Sequence, residues 1–297
     1  HIYIYAFDES SYSYLKSANL DKATILSLND FEDEELLAVK ESRSVAEYCW
    51  TCTPSIILHS ISEFKLENCT YLDADLYFYS SPEVIFLELG QNSILLTEHR
   101  YSKEDNQIQL RGKYCVQFMT FVSDDSGLEA LKWWRDRCIE WCFAIYDDGK
   151  FGDQLYLDDW LERFNSVYVL QHEGGGIAPW NMENFTFKPS ADSVKVINNR
   201  TNKKSELIFF HFHHLELLTN NKVILSYYKT NKNLIDLVYK PYIKKLLEIE
   251  KSLLSSTKFQ LEDLRGQQKA FSLLNFLRKL KYFYKGTLNE FNASKFL

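Results

Sequence analysis

The sequence predicts an α/β fold, with mostly parallel strands flanked by helices through about residue 225 and a helical tail after it. Three observations lead there. Short runs rich in β-branched and aromatic residues alternate with helical patterns of about 10–18 residues, as βαβ units do. From Tyr227 onward the alternation stops and apolar residues recur only at helical spacing. The 297 residues are 45% hydrophobic and 25% charged, ordinary globular usage that excludes a disordered chain.

In chain order, His1-Ile-Tyr-Ile-Tyr-Ala-Phe7 reads as a buried strand over 2–7, and a second strand is expected over 24–28. Helices follow over 33–39 and 45–62. An apolar strand over 69–76 ends in two carboxylates, and strands over 93–97 and 116–122 precede a helix over 127–145. A helix over 153–163, a strand over 167–170, a polar turn-rich stretch over 199–205 and a strand over 207–212 complete the first part. In the tail, Leu234, Leu237, Ile243, Leu246 and Leu247 keep helical spacing, and a second helix is expected over 271–284. This divides the chain into a catalytic domain over 1–225 and a helical region over 226–297.

Composition narrows the function. A net charge of −7 argues against a general nucleic-acid binder. Aromatics at 15% suffice to line both a core and a ligand cleft. No apolar run reaches the ~18–20 residues that span a bilayer. The chain opens without Met, directly on a strand, so an upstream segment is expected, and a removed targeting segment stays open. The six cysteines lie in apolar or aromatic stretches, as buried free thiols do, which points to a reducing compartment and a cytoplasmic protein. The segment from Phe271 to Lys285 is basic and amphipathic: it either lies on an anionic membrane surface at the inner face of the membrane or packs on its own domain with solvated lysines.

The most informative segment is Thr70-Tyr-Leu-Asp73-Ala-Asp75-Leu-Tyr-Phe78. In a regular strand, residues i and i+2 share a face, so Asp73 and Asp75 can approach one cation or its water shell. In open α/β sheets, ligands bind outside the carboxyl ends of strands, where these acids would lie. Hard oxygen ligands suit Mg²⁺ or Mn²⁺, which in turn hold phosphate oxygens. Solvated loop aspartates are the bland alternative. A haloacid-dehalogenase-like phosphohydrolase would use such a pair as nucleophile and general acid, and Gly152-Asp153-Gln-Leu-Tyr-Leu-Asp158 imitates that family's later metal motif. Against it stand Leu76 after the second acid, a motif some 70 residues in, and a polar loop before Gly152.

The chain resembles nucleotide-sugar glycosyltransferases of GT-A fold, bacterial sugar transferases related to glycosyltransferase family 8. The resemblance rests on Tyr71-Leu-Asp-Ala-Asp-Leu76, Lys113-Tyr-Cys-Val-Gln-Phe-Met-Thr-Phe121, Trp133-Trp-Arg135, Asp148-Gly-Lys-Phe-Gly-Asp-Gln-Leu-Tyr-Leu-Asp-Asp-Trp160, Gly175-Gly-Ile-Ala-Pro-Trp-Asn181 and Phe209-Phe-His-Phe-His213, in that order over residues 1–225. It implies a Rossmann-like mixed sheet flanked by helices and a C-terminal helical tail. It also implies transfer of a sugar from a nucleoside diphosphate donor, UDP-linked by default, to a glycan or lipid-linked acceptor in polysaccharide biosynthesis, with Mn²⁺ or Mg²⁺ as cofactor.

By the same resemblance, Asp73 and Asp75 are the donor-site acids and His211 is the third metal ligand. His213, which alternation places on the same face, and His214 are runners-up; a core role is open for each. Imidazole favours Mn²⁺ over Mg²⁺. Asp153 and Gln154 match the pair near donor sugar and acceptor, where Asp153 is a general base if the enzyme inverts; Asp153 could equally be a helix N-cap. Gln117 would border the sugar or be a buried core amide. Gly175 and Gly176, followed by Trp180, would let backbone approach the donor beside an aromatic wall, or form an ordinary turn under a core Trp. Departures from the family are Trp50 where an Arg is usual, Tyr114-Cys-Val-Gln117 in place of Phe-Asn-Ser/Ala-Gly, and Leu217 about where a Lys falls. The resemblance also places the fold's first strand and helix before His1. Besides the enzyme, a fold that kept sugar binding but lost turnover, or an assembly partner, stays open. Cys49-Trp-Thr-Cys52 has dithiol spacing but sits in a helical pattern.

Overall fold

The computed structural model describes residues 1–104, 106–191, 193–267 and 273–297, with the backbone alone at 273–276. The chain is a mixed α/β protein whose strands form several small sheets, and it divides into two compact units. One comprises 1–72, 87–99 and 107–170; the other comprises 73–86, 100–106 and 171–297.

The first unit begins with a βαβ element: Ile2–Ala6 and Ala23–Ser27 pair in parallel, with the helix Glu9–Ser17 connecting them. Asp8 caps that helix by accepting the Ser11 N–H. The main sheet of this unit runs in the order Asn68–Leu72, Tyr114–Val122, Ile94–Glu98, Val167–Val169. Its long strand Tyr114–Val122 is antiparallel to both neighbours, and only Ile94–Glu98 with Val167–Val169 is parallel. The expected mostly parallel sheet is therefore corrected to a mixed one. Tyr114–Val122 is buried on both faces over almost its whole length, and two-sided burial writes the continuous apolar run that parallel strands also show. Against the sheet pack Val45–Phe64, started by a reciprocal Ser44–Glu47 capping box, and Asp125–Glu140. Ile57, Ile61, Ala130, Leu131 and Trp134 bury their faces with Met119 and Phe121. The latter helix ends five residues before the expected 145, because Trp141 is extended.

All six cysteines carry free thiols. Cys49 and Cys52 lie inside the helix Val45–Phe64, and burial pushes the Cys52 thiol up to about 12.

The second unit holds two antiparallel three-stranded sheets, one from Phe185–Pro189, Val194–Asn198 and Lys204–Glu206, the other from Glu216–Leu217, Lys222–Ile224 and Glu290–Asn292. It also holds the two-stranded ladder of Leu76–Phe78 and Phe209–His211. The chain after 226 is thus not helical throughout: Glu290–Asn292 returns to pair with Lys222–Ile224. A wide π turn over Ile235–Tyr239 leads into Lys240–Ser256, next to Pro241, which has no N–H to give the preceding turn. Leu234, Val238, Tyr239, Ile243 and Leu247 share one core with Phe210 and Phe212. A helix spans Leu273–Tyr284, while Phe271 and Ser272 lie outside the described residues. Among the described residues no helix is long and apolar enough to cross a membrane.

Candidate metal centre

The two acids sit in a tight turn rather than on a pleated strand. Asp73 C=O accepts the Leu76 N–H at 3.3 Å, closing Asp73-Ala74-Asp75-Leu76 into a β-turn, with Asp at the first position that such turns favour. The strand that starts at Leu76 pairs antiparallel with Phe209–His211, in the register Leu76 to His211 and Phe78 to Phe209. Phe212 N–H extends this ladder to Asp75 C=O at 2.9 Å. A second turn then begins, where Leu215 N–H reaches Phe212 C=O at 2.9 Å and His214 takes a left-handed φ of 65°. Two turns therefore lie together at one end of a short ladder, the first bearing two carboxylates and the second two imidazoles.

Alternation sorts the side chains of this segment. Phe210 and Phe212 point into the core and are fully buried. His211 and His213 take the other side, their ring centroids 5.7 Å apart. His211 Nε2–H donates to Asp75 Oδ1 at 3.0 Å, and Asp73 Oδ2 lies 3.7 Å from the same nitrogen. Asp75, His211 and His213 each offer a ligand atom, and these atoms all lie within 4.8 Å of one another. Three protein ligands are the number found in metal sites that leave a further coordination position to water or substrate. His214 instead packs its ring on His213 and Tyr227, at centroid distances of 3.9 and 6.0 Å.

The charges reinforce the arrangement. Burial would raise the Asp75 carboxyl, but the hydrogen bond and charge of His211, with His213 adding, hold it below the ordinary carboxylate value. Burial would likewise lower His211, yet its bond to Asp75 and the charges of Asp73 and Asp75 raise it above 6.5. Before any cation arrives, the pair shares a proton that a metal would displace.

The walls come from distant parts of the chain. Ile177 bridges Phe210, and its C=O takes the His211 N–H at 2.9 Å. Asn181, fully buried, accepts the Ala178 N–H at 3.0 Å and donates to Gly176 C=O at 2.9 Å, which fixes the turn that carries Trp180. Trp180 stands roughly edge-on to His211 and His213, at 5.2 and 5.5 Å. Tyr242 stacks on Phe212 at 4.0 Å, and burial together with the Asp75 charge pushes its hydroxyl up to about 12. Arg100 ties the glycine loop down: its guanidinium donates to Gly175 C=O and lies 3.7 Å from Glu173, while its C=O accepts from Asn184 at 2.8 Å. Gly174 admits no side chain, since a Cβ there would meet Glu206 C=O at 1.7 Å.

Of the residues expected from sequence, Asp73, Asp75, His211, Gly175, Gly176 and Trp180 belong to the second unit, but the ligand cluster holds Asp75, His211 and the runner-up His213, while the expected ligand Asp73 lies outside it, 3.7 Å from His211. Gln117, Asp153 and Gln154 belong to the first unit. Gln117 is fully buried at the centre of Tyr114–Val122. Asp153 follows Gly152, whose φ is +52°, and its C=O accepts the Trp134 indole N–H at 2.8 Å. The expected helix over 153–163 is instead a 3₁₀ turn at Leu155–Leu157 and a short helix Trp160–Arg163, so Asp153 is not a helix N-cap. Gln154 donates to Arg111 C=O at 2.5 Å. Asp158, the second acid of the phosphohydrolase-like motif, accepts the Lys113 N–H at 2.7 Å, a structural use of that carboxylate. Arg100, Glu173 and Tyr242 were missed from sequence. Arg100 and Tyr242 carry no local motif, and Glu173 is marked only by its place before the glycine run.

Fold and site together define a mixed α/β protein with a candidate metal centre of carboxylate and imidazole ligands. No protein-family model matches the chain. It is 32% identical over 252 residues to the uncharacterized protein YfnD of Bacillus subtilis (strain 168), a match spanning 83% of this chain and 79% of YfnD. It is 34% identical over 257 residues to the uncharacterized protein YfnF of the same organism, spanning 84% of this chain and 82% of YfnF. The chain belongs to the family of these two proteins.

Proposed function

We propose that this protein is a metal-dependent glycosyltransferase of GT-A type, moving a sugar from a nucleoside diphosphate donor, with UDP the default carrier, to a saccharide or other hydroxyl acceptor. One observation carries the reading. Asp75, the second acid of an Asp-X-Asp turn after a strand, meets His211 and His213 with ligand atoms within 4.8 Å. The ordered set of motifs over residues 1–225 supports it, and so does the mixed sheet built around Tyr114–Val122.

The donor set fits a divalent cation. Two imidazoles beside a carboxylate suit Mn²⁺ better than Mg²⁺, whose preferred ligands are oxygens. Asp75, His211 and His213 would hold the ion, with Asp73 beside them. When bound, it supplies Lewis-acid stabilisation for the negative charge that grows on the departing diphosphate. The protein's own part is to fix the ligands. The Asp75 carboxylate sets the His211 ring, Trp180 limits both imidazoles from the side, and Tyr242 and Phe212 support the acid turn from the core. Asp153, Gln154 and Gln117 are assigned by resemblance to the sugar and acceptor side.

A thermal-shift panel of nucleotide sugars, with MnCl₂ or with EDTA, tests the reading. At a hundredfold excess over Kd a ligand adds about 2.7 kcal/mol of stability. At least one nucleoside diphosphate sugar is expected to raise Tm in Mn²⁺ and to lose that effect in EDTA. A panel in which no nucleotide sugar shifts Tm under either condition would remove the proposal. Release of sugar from the donor that shifts, with Mn²⁺ present, then separates a working transferase from a sugar-binding protein.

A further inference from the structure

The last two turns of the helix Leu273–Tyr284 carry two parallel stripes, of which all but the half-buried Leu280 are exposed. Leu277, Leu280 and Tyr284 follow one i, i+3, i+7 row, and Arg278, Lys281 and Lys285 follow the next, displaced by one residue. Leu277, Phe283 and Tyr284 are 52%, 67% and 83% exposed and lie within two turns of one helix. The three basic residues are exposed as well. The opposite side of the helix is anchored. Tyr282 packs on Tyr227 at 4.6 Å, Lys279 donates to Glu290 at 2.8 Å, and Thr287 N–H returns to Tyr282 C=O at 2.9 Å. Gly286, at a φ of +66°, ends the helix. Residues 271–285 hold four basic and no acidic side chains, within a chain of net charge −7.

We propose that this face is a docking surface for an anionic lipid bilayer. Leu277, Phe283 and Tyr284 would enter the headgroup boundary, with Arg278, Lys281 and Lys285 against lipid phosphates. Charge decides between occupants. A second copy meeting the same face would set basic stripe against basic stripe, whereas an anionic surface complements it and the neighbouring apolar row gains burial. The inference stands apart from the sugar-transfer reading, and its test does not depend on activity.

The test is co-sedimentation of the full chain with vesicles of phosphatidylcholine alone or mixed with phosphatidylglycerol. Binding is expected only to the mixed vesicles and should weaken with salt. Each charge removed near such a surface lowers partitioning about fivefold, so R278Q/K281Q should lower it roughly 30-fold. F283S/Y284S should lower it by roughly tenfold or more through lost apolar burial. Because all four side chains are exposed, Tm should stay at the wild-type value. Absence of binding to the mixed vesicles, or undiminished binding by both variants, overturns the proposal. Loss by the same variants of a concentration-dependent dimer, without vesicle binding, would assign the face to a second copy instead.

Discussion

His213 and His214 are adjacent, yet the structure gives them different tasks, and replacing each in turn is the sharpest test of the metal centre. His213 offers a ligand atom to the cluster with Asp75 and His211, whereas His214 occupies the left-handed turn position and meets Tyr227 edge-on. Asn tolerates that backbone conformation, so His214→Asn should preserve the turn, and His213→Asn removes only an imidazole. With Mn²⁺ at a hundredfold excess over Kd, the intact site gains about 2.7 kcal/mol, which for a protein of this size raises Tm by roughly 4 °C. Loss of even a residue that orients a ligand weakens metal binding about 10–100-fold. Taking the upper figure for a ligand itself, the same Mn²⁺ concentration only equals the variant's Kd, and the gain falls to about 0.4 kcal/mol, or roughly 0.7 °C. Differential scanning fluorimetry with and without MnCl₂ reads this directly. A His213→Asn protein that keeps the full Mn²⁺ shift, with the shift lost in His214→Asn, would refute the ligand assignment.

Other consequences are equally specific. Gly174→Ala must displace the Glu206 carbonyl, a clash of the kind that costs about 1–3 kcal/mol, and should lower both Tm and the Mn²⁺ shift because the same loop carries Trp180. Ile243→Ala, in the core behind Phe210 and Phe212, should cost about 2–5 kcal/mol by urea unfolding although it lies in the tail. Burial would raise Glu290, but its bonds to Lys222 and Lys279 hold the carboxyl below its ordinary value of 4.5. Its contribution is therefore complete above that value and lost as pH falls through the depressed one. The stability gap between wild type and Glu290→Gln should accordingly close on acidification; a gap constant down to roughly pH 3 would contradict this.

Local chemistry made part of this legible beforehand. The Asp73-Ala74-Asp75 spacing marked the acids, and the alternation of His211-Phe212-His213 marked which side chains would share a side. Even there the reason differed: a β-turn, not a pleat, brings the acids together. Strand direction was not legible, because Leu76–Phe78 finds its partner some 130 residues away and nothing local encodes the sense of that pairing. Glu290-Phe291-Asn292 is too short to show a period of two, so the strand that turns the tail back was invisible. Asp153 to Arg163 holds enough apolar residues to imitate a helix, but the left-handed Gly152 and the two-part turn after it depend on packing against Trp50 and Trp134. Arg100 and Tyr242 reach the site's surroundings through tertiary contacts alone.

The central claim is that Asp75, His211 and His213 hold the cation on which a nucleotide sugar's diphosphate is seated. Anomalous diffraction at the manganese edge, from crystals grown with MnCl₂ and a UDP-sugar, measures it most directly. The account predicts one strong peak within coordination distance of those three side chains, with diphosphate oxygens completing its shell. Nucleotide density with the manganese peak elsewhere, or with none, would contradict it.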